Sequence, residues 1–401
     1  MKQTWRWFGP SDTISIEEVE QSGATGIVTA LHHIPNGDVW PSVEIEKRKD
    51  EISRRSDGTP SRLKWDVVES LAISEDIKKQ DGNWRDHIAA YKQNLHNLAD
   101  AGLKVICYNF MPVIDWSRTD LAHTTSTGAT CLRFDIIDFA AFDIFVLKRD
   151  GAIEGFSEEI VEAARERHAN MSDHDRSVLM TNITMGLPGA NQKLTFDELR
   201  ELLAAYDGIS EQQLHRHLGD FLEEVVPVAE GLGLRMCIHP DDPPFSLLGL
   251  PRIVSTEADY ARITSLVDSP ANGITLCSGS MGVNPDADLP GMMTRLGSKV
   301  HFLHLRNVAR EEKRFPGSFH EAPHLGGSTN MVELIDVILK EEARRKAERR
   351  MDWCIPMRPD HGEAFIDDQA RKHHLGYPLM GRLRGLAELR GVVAGLGGEM
   401  H

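Results

Sequence analysis

Short apolar or β-branched runs alternate along this chain with longer stretches whose apolar residues recur at helical spacing. The candidate strands are TWRWFG (4–9), GIVTAL (26–31), KWDVVE (64–69) and KVICYNF (104–110). After an interruption come RMCIHP (235–240), GITLCSG (273–279), VHFLHLRN (300–307) and WCIPMRPD (353–360). Helical patterns fill the gaps: ISIEEVEQSG, WRDHIAAYKQNLHNLADAG, ISEQQLHRHLGDFLEEVVPVAEGLG, TEADYARITSLVD and MVELIDVILKEEARRKAERR. The first two close on a glycine suited to stop a helix.

Eight strands separated by helices predict a parallel α/β fold, and eight is the number that closes a (β/α)8 TIM barrel. An open doubly wound sheet is the other arrangement, but no GxGxxG follows an early strand. Residues 117–205 show no clean strand and predict a mostly helical, polar insertion after strand four. Such an insertion could be a lid, an oligomer contact or a solvated loop. Residues 1–401 are expected to form a single barrel domain with 117–205 inserted in it.

Composition acts mainly by exclusion. Lys plus Arg is 45 against 61 for Asp plus Glu, a formal charge of −16. That argues against nucleic acid or an anionic membrane surface as a partner. An anionic substrate must then be held by local cations, a metal or backbone N–H groups. There is no apolar run long enough to span a bilayer. The start, MKQTWRWFGPSD, lacks the apolar stretch of a secretory signal. The cysteines (Cys107, Cys131, Cys237, Cys277, Cys354) are odd in number, widely spaced and without a CxxC pair. No disulfide framework is expected, and a cytoplasmic location is.

In a barrel of this kind the working residues stand at the C-terminal ends of the strands. Strand five ends at His239, strand six at Cys277, strand seven carries His304, and strand eight ends at Asp360. Period-two alternation separates these from their neighbours. Cys237 lies two residues below His239 and is expected to fill the barrel interior, and His301 sits at the strand entrance on the face opposite His304. Taken singly, each has a bland reading: a hydrogen-bonded core histidine, or a buried cysteine acting as a small apolar group. The metal reading rests on four such residues at one rim. Two imidazoles, a thiolate and a carboxylate suit a divalent transition metal, and three or four protein ligands leave positions open for substrate. Arg306 shares the face of His304 and could clamp a substrate carboxylate or form a rim salt bridge. Asn109, at the end of strand four, is the other candidate for substrate contact. His361 follows Asp360 and suits a general acid or base. Tyr377, in HHLGYP, lies on a loop that could fold over the rim.

The segments RWFGP, GATGIVTALHH, CIHPDDPP, LCSGS, HFLHLRNV, FHEAPHLGG and MRPDHG, spread over residues 5–362, together resemble the mannonate dehydratase family. The resemblance implies a xylose-isomerase-like (β/α)8 barrel that uses Mn2+ or Fe2+. It implies conversion of D-mannonate to 2-dehydro-3-deoxy-D-gluconate with loss of water, in glucuronate catabolism. The family's metal ligands fall here on His239, Cys277, His304 and Asp360, and its acid/base pair on His361 and Tyr377. A homo-oligomer is expected. Two other readings remain open. One is a metal-dependent sugar isomerase or epimerase on the same barrel, whose site would usually offer several carboxylates. The other is a non-catalytic sugar-acid binding protein, which would need a broken ligand set.

Overall fold

The computed structural model describes residues 1–185 and 194–401. Twelve strands follow one another among the described residues: β1 (Lys2–Arg6), β2 (Gly26–Thr29), β3 (Trp65–Glu69), β4 (Val105–Tyr108), β5 (Asp120–Thr124), β6 (Thr130–Phe134), β7 (Arg235–Ile238), β8 (Asn272–Cys277), β9 (Val300–Leu305), β10 (Asn307–Arg310), β11 (Phe319–Ala322) and β12 (Pro356–Pro359). Eight of them close into a parallel barrel in the order β1-β12-β9-β8-β7-β4-β3-β2. These are the eight strands expected from the hydrophobic runs, with ends shifted by up to three residues.

The barrel interior is narrow and apolar. Val28, Val67, Cys107, Cys237 and Phe302 fill it, which places Cys237 in the core as expected. Side chains pointing outward meet the helices in a larger cluster that includes Leu95 and Leu98 of the helix Trp84–Asp100 and Leu218 and Phe221 of the helix Glu211–Gly231. Local chemistry sets the helix ends. Ser15 and Glu18 form a reciprocal capping box at the helix Ile16–Ser22, and Gly23, at φ 81°, stops it in the left-handed conformation. Ser210 with Gln213, and Thr256 with Asp259, do the same at two later starts.

Between β4 and β7 the chain departs from the expected strandless insertion. It opens with the hairpin β5–β6, which joins β10 and β11 in a four-stranded antiparallel sheet, β10-β11-β6-β5. Phe319 stands opposite Phe134 and His320 opposite Arg133. Helices Ile136–Ala141, Glu158–Ala169, Asp173–Thr184 and Phe196–Ala204 follow. Nor is this region simply polar, because Phe139, Phe142, Leu179 and Ile183 pack with Phe134, Phe245 and Phe319 into a second core. The strands escaped detection because they are short and carry charged residues, and β6 finds its second partner, β11, in the loop after β9. Residues 186–193, part of the expected insertion, lie outside the described residues. No helix among the described residues is long and apolar enough to cross a membrane.

Candidate active site

The ends of β7, β8, β9 and β12 bring the expected ligands to one rim. Register places Cys277 beside His304 across β8 and β9, and Arg358 beside His304 across β9 and β12. His239 Nε2 lies 3.0 Å from His304 Nδ1, and each of His239, Cys277 and His304 offers a donor atom within 4.8 Å of the other two. The far side of each imidazole is also arranged as in a metal centre. His239 Nδ1 is 2.7 Å from the Pro240 carbonyl, which leaves its Nε2 lone pair facing the cluster. His304 Nε2 is 3.4 Å from Glu69 Oε2, leaving Nδ1 facing inward. The Ser280 N–H donates to Cys277 Sγ at 3.4 Å and holds the sulfur at the cluster. Burial, the main influence on His239, holds its pKa below the ordinary value, so the ring is neutral as a ligand must be. The donor set therefore fits a divalent transition metal.

Asp360 stands at the edge of this cluster, with Oδ2 3.9 Å from His304 Nδ1. Its other oxygen contacts the Arg358 guanidinium. His301, by contrast, is buried against Gly273 on the other face of β9 and takes no part.

Around the cluster lies a set of buried ion pairs that sequence reasoning did not assign. Arg6, Arg118, Arg306 and Arg358 face Glu69, Asp242, Glu321 and Asp360, and all eight are at most 3% exposed. Arg358 binds Glu69 through two bonds of 2.8 and 2.9 Å. Arg118 binds Asp242 at 2.8 Å and Glu321 at 3.0 Å. Arg306 binds Asp242 at 2.5 Å. Charges of both signs are matched one for one, which is what permits so many in a desolvated place. Burial alone would raise the Glu69 and Asp360 carboxyls, but the neighbouring guanidiniums, Arg358 foremost, hold both well below the carboxylate range.

His361 and Tyr377 meet edge to face, ring centroids 4.9 Å apart. The Tyr377 hydroxyl lies 3.4 Å from Asp360 Oδ1, and His361 Nε2 lies 3.9 Å from the same oxygen. The His361 Nδ1 faces Glu321 Oε1 at 3.0 Å and Arg306 Nη1 at 2.8 Å. Burial and the Asp360 charge push the Tyr377 phenol above its usual range, so it stays protonated. Arg306 lies beside the cluster, but its Nη2 already donates to Asp242 and its Nη1 lies 3.6 Å from Glu321 Oε1. Of its two readings, the geometry favours the protein salt bridge. Asn109 lines a cavity of about 180 Å³ together with Arg6, His32, Ser70 and Asn94. Neither ring nitrogen of His32 has a hydrogen-bond partner among the described residues.

Asp242, Glu321 and Arg358 stand within HPDDPP, FHEAPHLGG and MRPDHG, where the sequence alone gives them no role. The signal lay in the motifs themselves: charged residues flanking ligand positions within apolar strands have to be paired once buried.

Comparison with known proteins points to one family. The D-mannonate dehydratase (UxuA) family matches residues 1–400. A mannonate dehydratase of Rhizobium meliloti is 53% identical over 392 residues, 98% of this chain and 96% of the relative. Mannonate dehydratase 1 of Agrobacterium fabrum is 52% identical over the same shares. The crystal structure of mannonate dehydratase from Streptococcus suis serotype 2 superposes with a TM-score of 0.75 at 29% identity, covering 100% of this chain and 97% of that one. A match running the length of the barrel and taking in every rim residue described above means that the chain belongs to the D-mannonate dehydratase family.

Proposed function

We infer that this protein is a metal-dependent hydro-lyase that converts D-mannonate to 2-dehydro-3-deoxy-D-gluconate and water. The observation that carries the reading is the convergence of His239, Cys277 and His304 beside the His361–Tyr377 pair in a chain of this family. His239, Cys277 and His304, with Asp360 at their edge, are the residues that would hold the ion, and Mn2+ or Fe2+ is our assignment. When bound, such an ion supplies Lewis acidity toward the substrate carboxylate, and its two positive charges against the thiolate's one leave the ion-paired site suited to a monoanion.

The protein groups divide the proton work. The reaction removes the C2 proton and expels the C3 hydroxyl, and the resulting enol becomes the ketone by protonation at C3. Glu321 bonds His361 at Nδ1, which leaves Nε2 as the face that takes the C2 proton. The imidazolium so formed rests against the Glu321 carboxylate. Tyr377, kept as a phenol, donates its proton to the departing hydroxyl, which leaves as water. Trp116, edge-on to the His361 ring at 5.9 Å, and Phe8, 5.0 Å from Tyr377, keep water from both groups. The cavity beside Arg6 and Asn109 is suited to the polyol end of the substrate.

An isomerase reading would call for carboxylates free to reach a metal. Here Glu69, Asp242 and Glu321 are each tied to arginine. The pathway we assign is hexuronate catabolism, in the cytoplasm, by a homo-oligomer. All five cysteines being unpaired is in keeping with a reducing compartment. A direct assay is formation of an α-keto acid from D-mannonate with Mn2+ or Fe2+ present. Steady formation supports the proposal, and none with either metal refutes it.

A further inference from the structure

A second group of metal-ligand residues lies on the antiparallel sheet, apart from the rim cluster. His123 of β5, His320 of β11 and Glu311, just past β10, each offer a donor atom within 4.8 Å of the others. His320 Nδ1 is 3.0 Å from Glu311 Oε1, and the two imidazole rings are 5.3 Å apart. A tetrahedral ion with bonds of about 2.1 Å needs donors roughly 3.4 Å apart, so small rotamer changes complete the geometry. The side chains of His123, His320 and Glu311 are 30%, 26% and 24% exposed, open to an ion from solvent yet held by the sheet.

We propose that His123, His320 and Glu311 form a second divalent-metal site, of the imidazole–carboxylate class that takes Zn2+ and similar late first-row ions. Two imidazole donors favour those ions over Mn2+. His123 and Glu311 are in the form binding needs. Burial, then Arg133 and His320, holds the His123 pKa below its ordinary value, so the ring is neutral. Burial would raise Glu311, but Arg133 and His320 bring it down to about 2. Arg133 is the competing cation, because it binds both Glu311 oxygens at 2.7 Å. It also holds Asp135 at 2.7 Å, so it keeps a carboxylate partner when Glu311 turns to the ion. Asp120 Oδ2, 3.9 Å from His123 Nδ1, is placed to be a fourth donor. The occupant would tie the hairpin after β4 to the hairpin after β9. It would also sit one residue from Glu321, which bonds His361.

The test uses full-length enzyme already loaded with Mn2+, dialysed to equilibrium against Zn2+, with zinc counted per chain. Wild type is expected to retain one more zinc than the double variant His123→Gln/His320→Gln, which keeps turnover when no zinc is added. An equal count in the two proteins overturns the proposal. Glu311→Gln keeps both rings and gives an independent reading: zinc affinity should fall at least tenfold, and unchanged affinity contradicts the site.

Discussion

Glu321 Oε1 lies 3.0 Å from Nδ1 of His361, although the two residues are 40 positions apart and belong to different sheets' neighbourhoods. Arg118 fixes the same carboxylate at 3.0 Å, so neither partner is free to swing. This is the arrangement of a base held in one tautomer by a buried acid. Glu321→Gln keeps the shape and removes the charge that steadies the imidazolium. We expect kcat to fall by about 10²-fold with KM little changed. Steady-state keto-acid formation reads this directly, and a parallel rise in KM with kcat intact would show that Glu321 only shapes the pocket.

Tyr377→Phe removes a hydroxyl whose one hydrogen bond among the described residues goes to Asp360, at 3.4 Å. The ring would keep its contacts with Phe8 and His361. Turnover is expected to drop by at least about 10²-fold while unfolding free energy changes by no more than about 1 kcal/mol. Denaturant melts beside the assay separate the two effects.

Two buried cysteines should behave in opposite ways. Cys277 and Cys237 are both fully buried, but Cys277 faces His304 and Cys237 fills the barrel interior. Cys277→Ala should lose bound metal and activity together. Cys237→Ala should keep both and lose about 1 kcal/mol of stability, the scale of one small buried group. Metal analysis of protein handled without air tests both, since a thiolate ligand is open to oxidation.

Much of the fold was legible because barrel strands announce themselves as apolar runs spaced by helices. His239, Cys277 and His304 were legible only together: each alone has a bland reading, but with Asp360 they fall at the ends of four adjacent strands. Alternation separated His304 from His301, and position along the strand separated His239 from Cys237. What escaped was set by tertiary pairing. β6 and β11 are five- and four-residue strands that pair with each other from distant parts of the chain, so neither carries a strong local signal. Glu321 escaped with β11, since its role depends on meeting His361 and Arg118 in space. Arg306 was placed at the rim, but only the structure shows Asp242 occupying it.

Acid should weaken the protein in a defined window. Burial would raise the Glu321 carboxyl, but Arg306, His361 and Arg118 bring it from 4.5 to about 2 in the folded chain. A depressed carboxyl stabilises the fold above its unfolded pKa and loses that contribution as pH falls toward the folded one. The loss from this group therefore runs from about pH 4.5 down to 2, on the order of 3 kcal/mol in total. Asp242, Asp360 and Glu69 are depressed in the same sense and add to it. Equilibrium unfolding at stepped pH should show a shallower acid decline for Glu321→Gln than for wild type. Equal slopes would mean that Glu321 is not ionised in the native state.

The central claim is that the rim cluster makes this chain a metal-dependent dehydratase. The most direct measurement strips the protein of metal, restores Mn2+ or Fe2+, and follows D-mannonate by mass spectrometry. We expect no reaction before the ion is restored and then a product lighter than the substrate by one water, with keto-acid reactivity. A product of unchanged mass, or the same rate from the metal-free protein, would contradict it.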